Sequence, residues 1–82
     1  MPDRRTIADM LCEVGPLLYG EAWEHPMARA LHVSPRTVQR WESGYSIPPD
    51  GIAVELRTLV EQRLIALRRL ADEMPKASPI TS

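Results

Sequence analysis

An all-α fold, a compact bundle of four to five helices with a long C-terminal helix, follows from three observations on this 82-residue sequence. No stretch alternates apolar and polar residues with the period of two that a half-buried strand needs. Prolines and glycines instead cut the chain into segments of helical length. Within those segments the apolar residues recur at steps of three and four, which places them on one helical face.

The first segment is residues 5–19. Ile7, Met10, Leu11, Val14, Leu17 and Leu18 share a face. Pro16 lies inside the pattern and, lacking a backbone donor, is expected to kink or split the helix. Gly20 closes it. The second helix is short. Pro26 suits its first position, where a missing N–H costs nothing, and Met27, Ala28, Ala30 and Leu31 supply apolar contacts before a stop near His32.

The third helix has the clearest ends. Ser34 is a favoured N-cap and Pro35 a favoured first residue. Gly44 can adopt the left-handed backbone that ends a helix. The expected span is Pro35–Ser43, followed by an extended linker through Ile47, Pro48 and Pro49. Asp50 is an acceptable N-cap for a fourth helix reaching Met74 before Pro75, about 36 Å long. With Leu56 at zero on the helical wheel, Ile52, Ala53, Leu59, Val60, Leu64, Leu67, Leu70, Ala71 and Met74 fall within roughly 80° of it. One small domain over residues 1–74 is expected, with residues 75–82 as a flexible tail.

Two short helices joined by a tight turn make a helix-turn-helix unit. If Val38 points inward, Trp41 lies about 60° away and anchors the third helix on the same side. Arg36, Arg40 and Ser43 then project from the opposite face, flanked by Thr37 and Gln39. Arginine can bind guanine bidentately and glutamine can do so with adenine. Ser34, at the helix N-terminus, suits a phosphate. Tyr45 either touches a phosphate from the loop or covers the core. The candidate DNA-binding set is therefore Ser34, Arg36, Thr37, Gln39, Arg40, Ser43 and Tyr45. The plain alternative is that the two arginines form only a solvated helix face.

The stretch Ala28-Arg29-Ala30-Leu31-His32-Val33-Ser34-Pro35-Arg36-Thr37-Val38-Gln39-Arg40-Trp41-Glu42-Ser43-Gly44 resembles the helix-turn-helix of the phage repressor and Cro superfamily. Trp41-Glu42-Ser43-Gly44 matches a common ending of that pattern. The wider stretch from Leu18 through Trp23 to Gly44 is similar to compact phage and bacterial regulators, some of them anti-CRISPR-associated repressors. The resemblance covers roughly residues 7–60 and implies sequence-specific DNA binding. His32 stands where the family favours glycine, and Pro35 replaces a polar residue that often touches a base.

Charge supports this reading weakly. The net charge is −1, whereas phosphate neutralisation supplies much of DNA affinity. Residues 1–33 hold three arginines against five acids, and residues 48–82 five bases against five acids. Only residues 34–47, with Arg36 and Arg40 against Glu42, are net positive.

Other chemistry is not expected. Nucleophile–base pairs, phosphate-cradling glycine loops and paired carboxylates in a cleft are not recognisable, so no catalytic residue is assigned. Cys12, His25 and His32 match no zinc spacing, and neither a metal nor a cofactor is expected. Cys12 reads as a buried structural thiol, His25 as a helix-start residue, and Asp72 and Glu73 as a solvated helix end. Trp23 and Trp41 read as core rather than stacking platforms. With no signal peptide and no membrane-length apolar run, a cytoplasmic protein is expected.

The apolar stripe of the fourth helix outlasts the core that it can cap. Leu64, Leu67, Leu70 and Met74 are therefore candidate homodimer-interface residues, pairing two recognition helices on an inverted-repeat operator. Alternatively this half folds back over Pro16 and the first helix. Arg63, inside the stripe, either snorkels or meets an acid across the dimer interface. The expected function is a dimeric repressor acting by promoter occlusion. The competing class is a helical interaction adaptor such as an antitoxin or a phage assembly protein.

Overall fold

The computed structural model describes residues 6–75. It holds four helices and no strand among those residues: α1 (Ile7–Tyr19), α2 (Glu24–Leu31), α3 (Pro35–Ser43) and α4 (Asp50–Glu73). The all-α expectation with a long last helix holds. Residue 5, the expected start of the first helix, and residues 76–82 of the expected tail lie outside the described residues.

α1 opens with a capping box. The Thr6 hydroxyl accepts from the Asp9 N–H at 3.0 Å, and the Asp9 carboxylate accepts from the Thr6 N–H at 3.3 Å. Two otherwise orphaned donors are thereby satisfied. Pro16 does not split the helix, which runs unbroken to Tyr19. Leu11 and Gly15 before the proline, and Tyr19 after it, pack on the same neighbours. Tertiary packing outweighs the one lost hydrogen bond.

α2 starts two residues earlier than expected. Pro26 occupies its third position rather than its first. The physical allowance is the same, because the first intrahelical N–H bond comes only with Met27, which donates to Trp23 O at 2.9 Å. Similarly, Asp50 is the first residue of α4 and Pro49 precedes it as cap. Aspartate there still faces the positive end of the helix dipole.

The core is Leu11, Trp23, Met27, Ala28, Leu31, Val38, Trp41, Ile52 and Leu56, with Ile7, Cys12, Val14, Tyr19, Val33 and Leu59 packed around it. α1 touches the three other helices, α2 lies on α3, and the first half of α4 closes the bundle. Ile52 and Leu56 are buried, Leu59 and Val60 half-buried. From Leu64 onward every residue of α4 is exposed. α4 continues as one helix, and of its second half Leu64 and Leu67 border a groove with Leu17 and Leu18 of α1 without being covered by it.

Arg63 is half-buried on α4, and its head group meets the end of α1 rather than standing free in water. Its guanidinium donates to Leu18 O at 3.1 Å and lies 5.7 Å from the centre of the Tyr19 ring. Leu18 O is one of the last carbonyls of α1, which lack intrahelical donors. Arg63 therefore caps the end of α1 from a residue 45 positions away.

Cys12 is half-buried rather than buried, and sits at the edge of the core. Burial first, then the carboxylates of Glu42, Asp9 and Glu24, push its thiol above the ordinary value. The thiolate is the reactive form, so the shift works against reactivity. Glu42 is also raised, by desolvation first, then by repulsion from Glu24 and a side-chain hydrogen bond with it.

Gly15 was not singled out by its sequence context. A Cβ added there would overlap the indole of Trp23, which is itself buried. The missing side chain lets α1 approach the tryptophan.

Two stability outcomes are expected. Gly15→Ala gains about 1 kcal/mol of helix propensity but overpacks a site where strain costs about 1–3 kcal/mol. A net loss is expected, seen as a melting temperature below the parent's. A variant melting higher would mean that Trp23 can yield. The second outcome concerns Glu42. Its folded-state pKa is raised, so the native state holds the proton more tightly than the unfolded chain. Its contribution to stability therefore falls as pH rises from the ordinary glutamate range through the raised value, above which the penalty is complete. Glu42→Gln should melt above the parent at pH 7, by less than about 1 kcal/mol because the site is solvated. The difference should vanish below the ordinary glutamate range; a pH-independent difference would assign the gain to something other than charge.

Candidate nucleic-acid interface

The helix-turn-helix is built from α2, the short turn through His32, Val33 and Ser34, and α3. Its two helices end in the same way. His32 adopts a left-handed backbone, φ 61° and ψ 41°. Its N–H donates to Arg29 O at 3.2 Å and the Val33 N–H to Ala28 O at 2.9 Å. That is a Schellman closure with histidine in the position usually held by glycine. His32 is the sole non-glycine residue at positive φ among the described residues. Such a residue carries a conformational cost, here accepted to turn the chain sharply into α3.

α3 occupies the expected span. The Ser34 hydroxyl accepts from the Thr37 N–H at 3.2 Å, and the two side-chain oxygens lie 2.9 Å apart. Gly44 ends the helix at φ 85°. Its N–H donates to Trp41 O, and the Tyr45 N–H donates to Arg40 O at 2.9 Å, a second Schellman closure.

Burial decides the rotation of the helix. Val38 and Trp41 are in the core, while Arg36, Gln39, Arg40 and Ser43 are exposed. The wheel drawn from the sequence therefore has the observed orientation. Arg36, Gln39, Arg40, Ser43 and Tyr45 together line one shallow concavity. Ser34 and Thr37 lie apart from it, engaged with each other at the helix start. Ser34, expected to meet a phosphate at the helix N-terminus, uses its hydroxyl as the cap of α3, and the Ser43 hydroxyl donates to Arg40 O at 3.2 Å.

Tyr45 departs from one of its two expected roles. It does not cover the core, because it is 78% exposed. Its ring lies beside Arg40, with the guanidinium carbon 5.6 Å from the ring centre. Neither expected role of Tyr45 includes this pairing. The signal was present, since a Schellman closure brings the residue after the glycine back over the last turn of its helix.

The acidic residue of α3, Glu42, is kept off this face. It lies one turn beyond Val38, toward Glu24 and Cys12, so the arginines present their charge without a carboxylate from their own helix between them. Among the described residues no group of three or more potential ligands could hold a metal ion, and no helix is long and apolar enough to cross a membrane.

Over 45 residues the chain is 44% identical to Antitoxin HigA-2 of Vibrio cholerae, a match covering 55% of this chain and 42% of that protein. The chain thus spans less than half the length of the curated relative that it matches. No family model and no solved structure matches the chain.

Proposed function

We propose that this chain is a non-enzymatic, sequence-specific reader of double-stranded DNA that acts as a homodimeric transcriptional repressor. One observation carries the reading: a short helix, clamped to the core through Val38 and Trp41, turns Arg36, Gln39 and Arg40 outward on one face. A helix of this width enters the major groove, and these side chains can bond guanine and adenine edges. Ser34, Thr37 and Ser43 complete the proposed contact set, and Tyr45 borders it beside Arg40. Repression by occupying a promoter needs no surface beyond this one.

The homodimer is supported by exposed apolar area on α4. Leu64 is 60% exposed, Leu67 54%, Leu70 48% and Met74 55%. A run of that kind is costly when left in water. Pairing it with its symmetry mate would bury it and set two α3 helices on an inverted repeat, with half-sites about one turn of DNA apart. Two subunits also offset the weak charge of one, because their contacts act together.

A second reading has its own support. Similarity to a protein named as an antitoxin fits a chain whose α4 face holds a different protein, with DNA binding serving to regulate its own synthesis.

Arg36→Ala and Arg40→Ala are each expected to weaken binding to a duplex that the protein selects from a random pool. A bidentate base contact is worth about 1–3 kcal/mol of discrimination. Circular dichroism should not change, because both side chains are exposed. Undiminished affinity of the double variant would end the DNA-reading assignment. For the dimer, sedimentation at micromolar concentration should give twice the chain mass, and Leu67→Glu should halve it and weaken operator binding. A parent that sediments as a monomer would favour the second reading.

A further inference from the structure

The cap that ends α3 also holds one of its arginines. Arg40 O accepts from the Tyr45 N–H at 2.9 Å, the Ser46 N–H at 3.2 Å and the Ser43 hydroxyl at 3.2 Å. The backbone at the root of the Arg40 side chain is thus fixed by the turn that follows it. The same turn carries the Tyr45 ring back to the Arg40 guanidinium, 5.6 Å from ring centre to guanidinium carbon. The ring is not recruited by the core, because it stands largely in solvent. Of the side chains lining the concavity, Tyr45 alone comes from outside α3.

A free arginine samples many rotamers and loses that freedom when it binds a base edge, which costs conformational entropy. A ring lying against the guanidinium restrains it before binding. It also leaves the planar N–H edge free for a bidentate acceptor.

We infer that Tyr45 is a positioning residue: its ring holds the Arg40 guanidinium ready for a guanine edge, without itself reading DNA. The inference rests on the proposal that α3 reads DNA, and it assigns a division of labour within that site. Arg40 makes the contact and Tyr45 sets its geometry, so the phenolic hydroxyl is dispensable and the ring is not.

The test is a double-mutant cycle on the duplex that wild-type protein selects from a random pool, repeated on duplexes with each guanine replaced. An exposed cation–π pair corresponds to a factor of about two to five in affinity. Tyr45→Ala should weaken binding by about that factor for each recognition helix, with the loss confined to duplexes keeping the guanine that Arg40→Ala identifies. Tyr45→Phe should bind as the parent does. In the Arg40→Ala background, Tyr45→Ala should cost nothing further. Melting temperatures of the Tyr45 variants should match the parent's. If Tyr45→Phe falls as far as Tyr45→Ala, the hydroxyl contacts DNA and the positioning role is overturned. Losses from Tyr45→Ala and Arg40→Ala that multiply overturn it as well, since the two residues then act separately. If Arg40→Ala itself leaves binding intact, or the parent selects no sequence, the reading of α3 fails, and it does so visibly before any Tyr45 variant is compared.

Discussion

The burial of Val38 and Trp41 is the constraint on which the rest of this molecule depends. A nine-residue helix is too short to persist alone in water, since nucleation costs more than so few hydrogen bonds return. α3 therefore exists because one face of it is driven into the core. Two anchors three residues apart allow a single rotation about the helix axis. That rotation sends Arg36 and Arg40 outward and directs Glu42 toward Glu24 and Cys12. Hydrophobic packing here does the work of electrostatic sorting: it segregates the carboxylate from the guanidiniums within one short helix.

The ends of the helices matter as much as their faces. Both α2 and α3 finish in a left-handed residue followed by a bond back across the turn. At the end of α2 that closure tucks Val33 toward the core and starts α3 after one further residue. At the end of α3 the same closure has no core to meet, and it delivers Tyr45 onto Arg40 instead. One backbone motif thus serves packing in the first case and the presentation of a side chain in the second. The glycine at 44 makes the second closure cheap, whereas His32 makes the first one strained.

These features differ in how far the sequence reveals them, and the difference is one of range. α3 was legible to the residue because its signals are local: a serine cap, a proline beside it, a glycine stop and two apolar anchors at helical spacing. The starts of α2 and α4 were displaced by one or two positions because proline and aspartate are tolerated throughout a first turn. Pro16 leaves the helix unsplit for a related reason. Its local cost is real, but Leu11, Gly15 and Tyr19 pack on both sides of it and hold the helix together. Gly15 and Arg63 were illegible because their partners, Trp23 and Leu18 O, are distant along the chain. The Glu24–Glu42 contact joins two helices and is invisible to periodicity for the same cause.

Arg63 also explains the division of α4 into two unlike halves. Up to that residue the helix caps the bundle, with Ile52 and Leu56 inside and Leu59 and Val60 at the margin. At Arg63 the apolar stripe is interrupted by a charge whose head group closes the end of α1. That bond ties α4 to the end of α1. Beyond it the stripe resumes through Leu64, Leu67, Leu70 and Met74, which the described residues leave largely exposed. A helix kept apolar for several turns past its own core is maintained against both solubility and stability unless those turns are covered. The stripe and the weakly charged recognition face are thus complementary deficits. On the proposed reading, one lacks a partner surface and the other lacks enough contacts for a single chain to hold DNA well. Pairing through α4 would address both with the same residues, because a two-fold axis there would double the contacts of α3 while burying the stripe.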